Sequence, residues 1–186
     1  NNQVNIKQND AEHYMAKFVQ GGATELYYNN VKHFETNDAG VTVLGAEGGD
    51  ANIYLYADEG DDDADKWQIK ADGGSGAFQI RNEAGGSWEA NLECNGSGNV
   101  ELYYDNAKKF ETTSAGTKLE DGIKAQFGTG ADCDIYHTGS HMVIENDVGN
   151  TYIYGNRTAG EQGVTINRDG SVDLFHNGSK KLETSS

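Results

Sequence analysis

Glu101-Leu102-Tyr103-Tyr104-Asp105-Asn106-Ala107-Lys108-Lys109-Phe110-Glu111-Thr112 is the stretch that decides how this chain folds, because the chain repeats it. The pattern stands earlier as Glu25-Leu26-Tyr27-Tyr28-Asn29-Asn30-Val31-Lys32-His33-Phe34-Glu35-Thr36. It closes the chain as Asp173-Leu174-Phe175-His176-Asn177-Gly178-Ser179-Lys180-Lys181-Leu182-Glu183-Thr184. A degenerate copy, Asp134-Ile135-Tyr136-His137-Thr138-Gly139-Ser140-His141-Met142-Val143-Ile144-Glu145, lies between the last two. Repetition of this kind marks an array of supersecondary units. Each copy reads as two short strands around a tight turn. Asn177-Gly178 is the strongest turn signal, since both residues tolerate positive φ, and Asn29-Asn30 and Asp105-Asn106 are softer versions of it.

Pairing the arms across a three-residue loop sets Leu26 opposite Phe34, Leu102 opposite Phe110, Leu174 opposite Leu182 and Ile135 opposite Val143. One apolar pair then falls on the same face of every copy, as cross-strand packing requires. The same register sets Glu25 against Glu35 and Glu101 against Glu111, which is unfavourable in an isolated hairpin. Either the register differs, or lysines from another layer or chain lie close by.

The sequence around the repeats reads the same way. Asp38-Ala39-Gly40 and Ser114-Ala115-Gly116 each begin a turn followed by a further short strand. Asn52–Tyr56, Lys66–Lys70 and Ala77–Arg81 alternate with period two, Asn150–Tyr154 echoes the first of these, and Gly163–Asn167 adds another. Gly73-Gly74-Ser75-Gly76 and Gly85-Gly86-Ser87 supply turns. No segment reads as a helix; within 10–20, Tyr14, Phe18 and Val19 suit a strand at least as well. The expected fold is all-β: an elongated stack of short strands and hairpins in an intertwined or side-by-side oligomer. Its units span 1–49, 50–122 and 123–186, the last holding the third unit and a partial fourth. Such strands bury little surface singly, so stacking and neighbouring chains must cover them. The order of symmetry is not readable from the sequence.

Composition narrows function. The chain has 186 residues, 25 glycines, ten tyrosines and no proline, and thirty acidic against fourteen basic side chains give a formal charge of -16. That field repels nucleic-acid phosphates and anionic membrane surfaces, so neither nucleic acid nor a membrane is an expected partner. No apolar run is long enough to cross a bilayer as a helix, and Asn1-Asn2-Gln3-Val4-Asn5 does not resemble a signal peptide. Cys94 and Cys133 either pair or remain as half-buried thiols, and no Cys/His spacing suggests zinc.

The unit from Val100 to Gly116 resembles a motif that recurs in bacteriophage tail fibres and other virion-associated proteins of marine and cyanobacterial phages. The closing unit from Val172 to Thr184 resembles it too, and the segment from Asn52 to Asn99 is similar to the sequence between such motifs. The resemblance implies a homotrimeric fibre segment of the virion tail, or an extracellular one, that spaces the particle from its host receptor. Identical chains are the implied partners, with other virion tail proteins and a host surface glycan as further ones. Many such fibres carry a C-terminal chaperone domain; none is evident here, so trimerisation, folding assistance and any receptor-binding tip are expected to depend on sequence outside this stretch, which begins and ends inside patterned sequence. A receptor- or polysaccharide-binding module and a non-viral extracellular filament are the alternative readings.

No enzyme activity and no cofactor are expected, and no catalytic, cofactor-binding or metal-ligating residue is assigned. Asp61, Asp63 and Asp65 have the alternate spacing that opens a calcium loop, but Lys66 stands where glycine is required and Asp72 where the closing glutamate belongs, which favours a solvated turn. His33, His137, His141 and His176 recur near turns, with His13 earlier, but positions equivalent to theirs hold Tyr or Lys in related copies, and no catalytic set repeats. Tyr27, Tyr28, Tyr103, Tyr104, Tyr136, Trp67 and Trp88 are candidates for sugar stacking, weighed against packing between layers. Dispersed carboxylates alone establish no glycoside-cleaving pair.

Overall fold

The fold follows from the alternation: short runs of Val, Ile, Leu, Phe, Tyr and Thr are broken every few residues by glycine or Asn/Asp turns, with no proline to interrupt a ladder. In the computed structural model, which describes residues 2–9, 13–156 and 158–185, these runs form antiparallel meanders in which each strand pairs with the next. The first sheet holds β1 (Gln3–Lys7), β2 (Tyr14–Val19), β3 (Thr24–Tyr28), β4 (Val31–Asn37) and β5 (Gly40–Val43). The second holds β6 (Ala51–Tyr56), β7 (Lys66–Ala71), β8 (Phe78–Asn82), β9 (Glu89–Cys94), β10 (Val100–Tyr104), β11 (Ala107–Thr113) and β12 (Gly116–Lys118). A third contains β13 (Ala125–Phe127), β14 (Cys133–His137) and β15 (Met142–Asn146). The fourth contains β16 (Thr151–Asn156), β17 (Glu161–Ile166), β18 (Val172–His176) and β19 (Ser179–Glu183).

The protein is therefore all-β, with helical geometry among the described residues confined to 3-10 turns at Asp58–Gly60 and Asp63–Asp65. Among the described residues no helix is long and apolar enough to cross a membrane. The chain divides into two compact units, 1–118 and 119–186. The first two sheets lie in the first unit and the other two in the second. The segment 10–20 contributes β2, with residues 10–12 outside the described ones. Strands β1, β9 and β13 alternate polar and apolar residues as well and add to those expected from the sequence.

Three repeat hairpins share one construction. Asn29 and Asn30 (φ 47° and 63°), Asp105 and Asn106 (52° and 54°), and Asn177 and Gly178 (50° and 68°) all take positive φ, which defines a two-residue type I′ turn. The expected three-residue loop is thus replaced by a two-residue turn plus a bulge: Tyr27 pairs with Lys32 and Leu26 with Phe34, leaving His33 as the extra residue. Lys109 and Lys181 are the extra residues of the other two. The bulge restores the outer register, so Leu26–Phe34, Leu102–Phe110 and Leu174–Leu182 pair as expected.

The degenerate copy departs from this plan. Ile135 pairs with Ile144, and Val143 pairs with Tyr136, correcting the expected Ile135–Val143 pair. The reason lies in Thr138, which stands where the other copies have Asn or Asp. A β-branched residue is disfavoured at positive φ. The chain instead makes a four-residue loop, 138–141, in which the Thr138 hydroxyl oxygen accepts from the His141 and Ser140 N–H groups at 3.0 and 3.3 Å. No bulge follows, and the pairing shifts by one residue.

Side-chain bonds to backbone join the two arms of three repeats and tie two of the repeats to the strand before. Thr36, Thr112 and Thr184 accept from the N–H groups of Thr24, Val100 and Val172 at 2.9, 2.8 and 3.0 Å. The second turn asparagines grip backwards in the same way, Asn30 accepting from Tyr14 N–H at 3.1 Å and Asn106 from Ala90 N–H at 3.3 Å. Between the first two sheets, Gly73 meets the 45–50 loop so closely that a Cβ there would lie 2.5 Å from the Gly49 carbonyl oxygen. Asp50 accepts from Gly73 N–H at 2.9 Å and pairs with Lys70 at the same distance.

Candidate functional site

Strand register sorts the side chains of every sheet onto two faces. One carries unbroken apolar rows. In the first sheet the row is Ile6, Ala16, Leu26, Phe34 and Val43. In the second it is Ile53, Ile69, Ile80, Leu92, Leu102 and Phe110, crossing six strands. Ala125, Ile135 and Ile144 form the third, and Ile153, Val164, Leu174 and Leu182 the fourth.

These rows are only partly covered: Ala16 is buried, Ile69, Ile80, Leu92 and Val164 are half-buried, and the leucines of the repeats are exposed. Leu26, Leu102 and Leu174, equivalent in three repeats, are 45%, 43% and 41% exposed, and the only buried apolar side chains among the described residues are Ala16 and Ala77. A 186-residue domain ordinarily encloses a contiguous cluster of large side chains. Within the first unit a cleft of about 520 Å³ opens between the ends of two rows, with Phe34 and Val43 on one side and Ile53 on the other.

The opposite face is polar and closes on itself. Its rows run Asn5, Lys17, Glu25, Glu35, Thr42 in the first sheet and Asn52, Lys70, Gln79, Glu93, Glu101, Glu111, Lys118 in the second. The opposed glutamates foreseen from the sequence are real pairs, and the bulge resolves them. By inserting His33 it turns Lys32 onto the face of Glu35, so that Lys32 bridges Glu25 at 3.2 Å and Glu35 at still closer range. Lys108 likewise joins Glu101 at 3.4 Å to Glu111, and Lys180 joins Asp173 at 3.7 Å to Glu183. In the bulge-free copy no hairpin lysine reaches Asp134 and Glu145; Lys124, just before β13, does, at 2.6 and 3.4 Å. The neutralising lysine thus comes from the same chain in all four copies.

The electrostatics follow this wiring. The Tyr27 hydroxyl, donating at 2.5 Å, and the Lys32 ammonium hold the Glu25 carboxyl below its ordinary range. Lys108 and Lys118 do the same for Glu111, and Lys124 with Gln126 for Asp134. Ser171 and Asn167 donate to Asp173 and depress it, helped by Lys180. Lys32, Lys108, Lys124 and Lys180 are each raised by their carboxylates. Asp134 is 6% exposed while Ile135 beside it is 37% exposed, the reverse of a soluble sheet's usual order.

The other sequence candidates fall apart as sites. Asp58, Asp61 and Asp65, not the alternate set Asp61, Asp63 and Asp65, bring carboxylate oxygens within 4.8 Å of one another; Asp63 pairs with Lys66 at 2.7 Å. That is the only such group among the described residues, and it contains no histidine. His33 Nδ1 lies 3.0 Å from the Leu44 carbonyl oxygen and His137 Nδ1 2.8 Å from Asp121. Cys94 and Cys133 are free thiols. Tyr27 and Tyr103 are half-buried on the polar face, their hydroxyls on Glu25 and Glu101, whereas Tyr28, Tyr104 and Trp67 extend the exposed apolar face. Lys124 stands over the Tyr136 ring at 4.8 Å. Two exposed pairs, Tyr54 with Tyr56 and Tyr152 with Tyr154, were signalled in the sequence only by their Tyr-x-Tyr spacing.

Compared with protein-family models, curated proteins and solved structures, the chain finds no match.

Proposed function

We propose that the chain is a structural segment of a phage tail fibre, in which identical chains, three in number, cover one another's apolar rows and hold the particle at a distance from its receptor. The observation that carries this reading is that Ala16 and Ala77 are the only buried apolar side chains among the described residues, beneath well-paired strands. The rows are uncharged, continuous and repeated, so a surface that matches them must be apolar and repeat with the same period, which another copy of this chain does. Burying apolar area at roughly 25 cal/mol per Å² gives association its driving force. The polar faces, each carrying its own lysine-bridged carboxylates, then turn to solvent and keep fibres apart. The tail setting and threefold number rest on the resemblance of the repeat; the partly exposed apolar rows support the covering by partner chains.

Negative-stain electron microscopy of the purified chain tests the reading. Unbranched rods of uniform width, lengthened when further repeat units are appended, are expected; isolated single-chain particles would overturn it. Gold-labelled antibody against the chain should mark the tails of phage particles, and labelling confined to heads or to particle-free filaments would refute the viral setting.

A further inference from the structure

The hairpin that breaks the repeat plan holds a histidine between two incompatible neighbours. His137 ends β14, at the place of Tyr28, Tyr104 and His176 in the other copies. The loop that follows brings the Gly139 N–H to 3.1 Å from His137 Nδ1, and the same nitrogen lies 2.8 Å from an Asp121 carboxylate oxygen. Gly122 N–H donates to the His137 carbonyl at 2.7 Å, which seats the 119–122 turn beside the end of β14. That turn opens the second compact unit, to which all of these groups belong.

One ring nitrogen cannot serve both neighbours. A carboxylate only accepts, so Asp121 needs a proton on Nδ1; a backbone N–H only donates, so Gly139 needs Nδ1 bare. The imidazolium has protons on both nitrogens and bonds only Asp121, with charge assistance. The neutral ring can carry its one proton on Nε2 and accept from Gly139. Asp121, 66% exposed, then exchanges the ring for water at little cost. Gly139, by contrast, stays beside the ring, two residues on in a loop that the Thr138 hydroxyl caps.

The other titratable groups on the elements around the ring are Glu120 in the turn, His141 in the loop and Lys124 on the lead into β13. Lys124 is committed to Asp134 and Glu145, at 2.6 and 3.4 Å. Met142, opposite His137 on β15, is uncharged. We propose that His137 is a pH-sensitive clasp. In acid the imidazolium fastens the 119–122 turn to the β14–β15 hairpin through Asp121; once the proton leaves, the ring accepts from Gly139 and the carboxylate lets go. Every contact lies within one chain, so the clasp and the fibre reading can fail separately.

Magic-angle-spinning NMR of the whole chain in its native assembly, isotope-labelled in histidine, aspartate and glycine, tests the clasp. His137→Gln identifies the ring signals by their loss. As pH rises from about 5 to 8, Nδ1 should pass from protonated to bare and its dipolar coupling to the Asp121 carboxyl carbon should be lost. The Gly139 amide proton should move downfield over the same range as its bond forms, and should stay in place in His137→Gln. The proposal is overturned if Nδ1 keeps its proton at the alkaline end, if the coupling to Asp121 persists there, or if the Gly139 amide titrates in the absence of His137.

Discussion

Lys108 sits between two carboxylates that strand pairing forces together, and its ammonium is what makes the Glu101–Glu111 pair tolerable. Replacing it with methionine should lower the melting temperature at neutral pH, and the deficit should shrink in acid as Glu111 protonates. The pH dependence of the unaltered protein has a fixed sign. Glu25, Glu111, Asp134 and Asp173 are depressed in the folded state, so their contribution is complete above the unfolded values, 4.5 for Glu and 3.8 for Asp, and is lost as pH falls through the lower folded ones. Lysines raised above 10.5 contribute fully below that value and lose their contribution as pH rises through the folded one. Thermal melts across pH should therefore show a plateau with an acid limb below about 4 and an alkaline limb above about 10.5. A melting temperature that climbs as pH drops from 5 to 3 would contradict this wiring. The clash of like charges was legible in the sequence, but its remedy was not, because the bulge that turns Lys32 and Lys108 onto the acidic face leaves no mark in the residue pattern.

At the scale of the hairpin, turn chemistry sets register. Gly178 has φ 68° and open space around its Cβ position, so a side chain there meets no neighbour and pays only for the left-handed backbone. Gly178→Val should cost about 1–2 kcal/mol, read from urea unfolding of the assembly against the parent; an unchanged midpoint would show that the turn is not type I′ in solution. Asn106 takes the same conformation but also holds Ala90 N–H, which explains why copies of one motif carry Asn and Gly at the same place. Three of the four apolar pairs were readable because Asn-Gly, Asp-Asn and Asn-Asn all favour the same turn. The fourth differs because Thr138-Gly139 resembles Asn177-Gly178 in sequence only: the Thr138 hydroxyl caps its own loop, and a β-branched residue is disfavoured at positive φ.

For the whole molecule, the two faces make opposite demands. Leu102→Asp places a charge within a continuous apolar row and should abolish assembly, whereas Glu101→Gln, one residue away on the polar face, should leave it intact. Equal effects from both would mean that the apolar face is not the contact. The all-β character followed from the short alternating strands, and the exposed Leu26, Leu102 and Leu174 are what the proposed assembly rests on. The faces of the repeat tyrosines follow from strand alternation, Tyr27 sharing the side of Glu25 and Tyr28 that of Leu26, but the bond from the Tyr27 hydroxyl to Glu25 was not legible. Sedimentation equilibrium of the unaltered chain is the most direct measurement of the central claim. A mass three times the 20.1 kDa of one chain is predicted at every loading concentration, and a folded species of single-chain mass that unfolds cooperatively would contradict it.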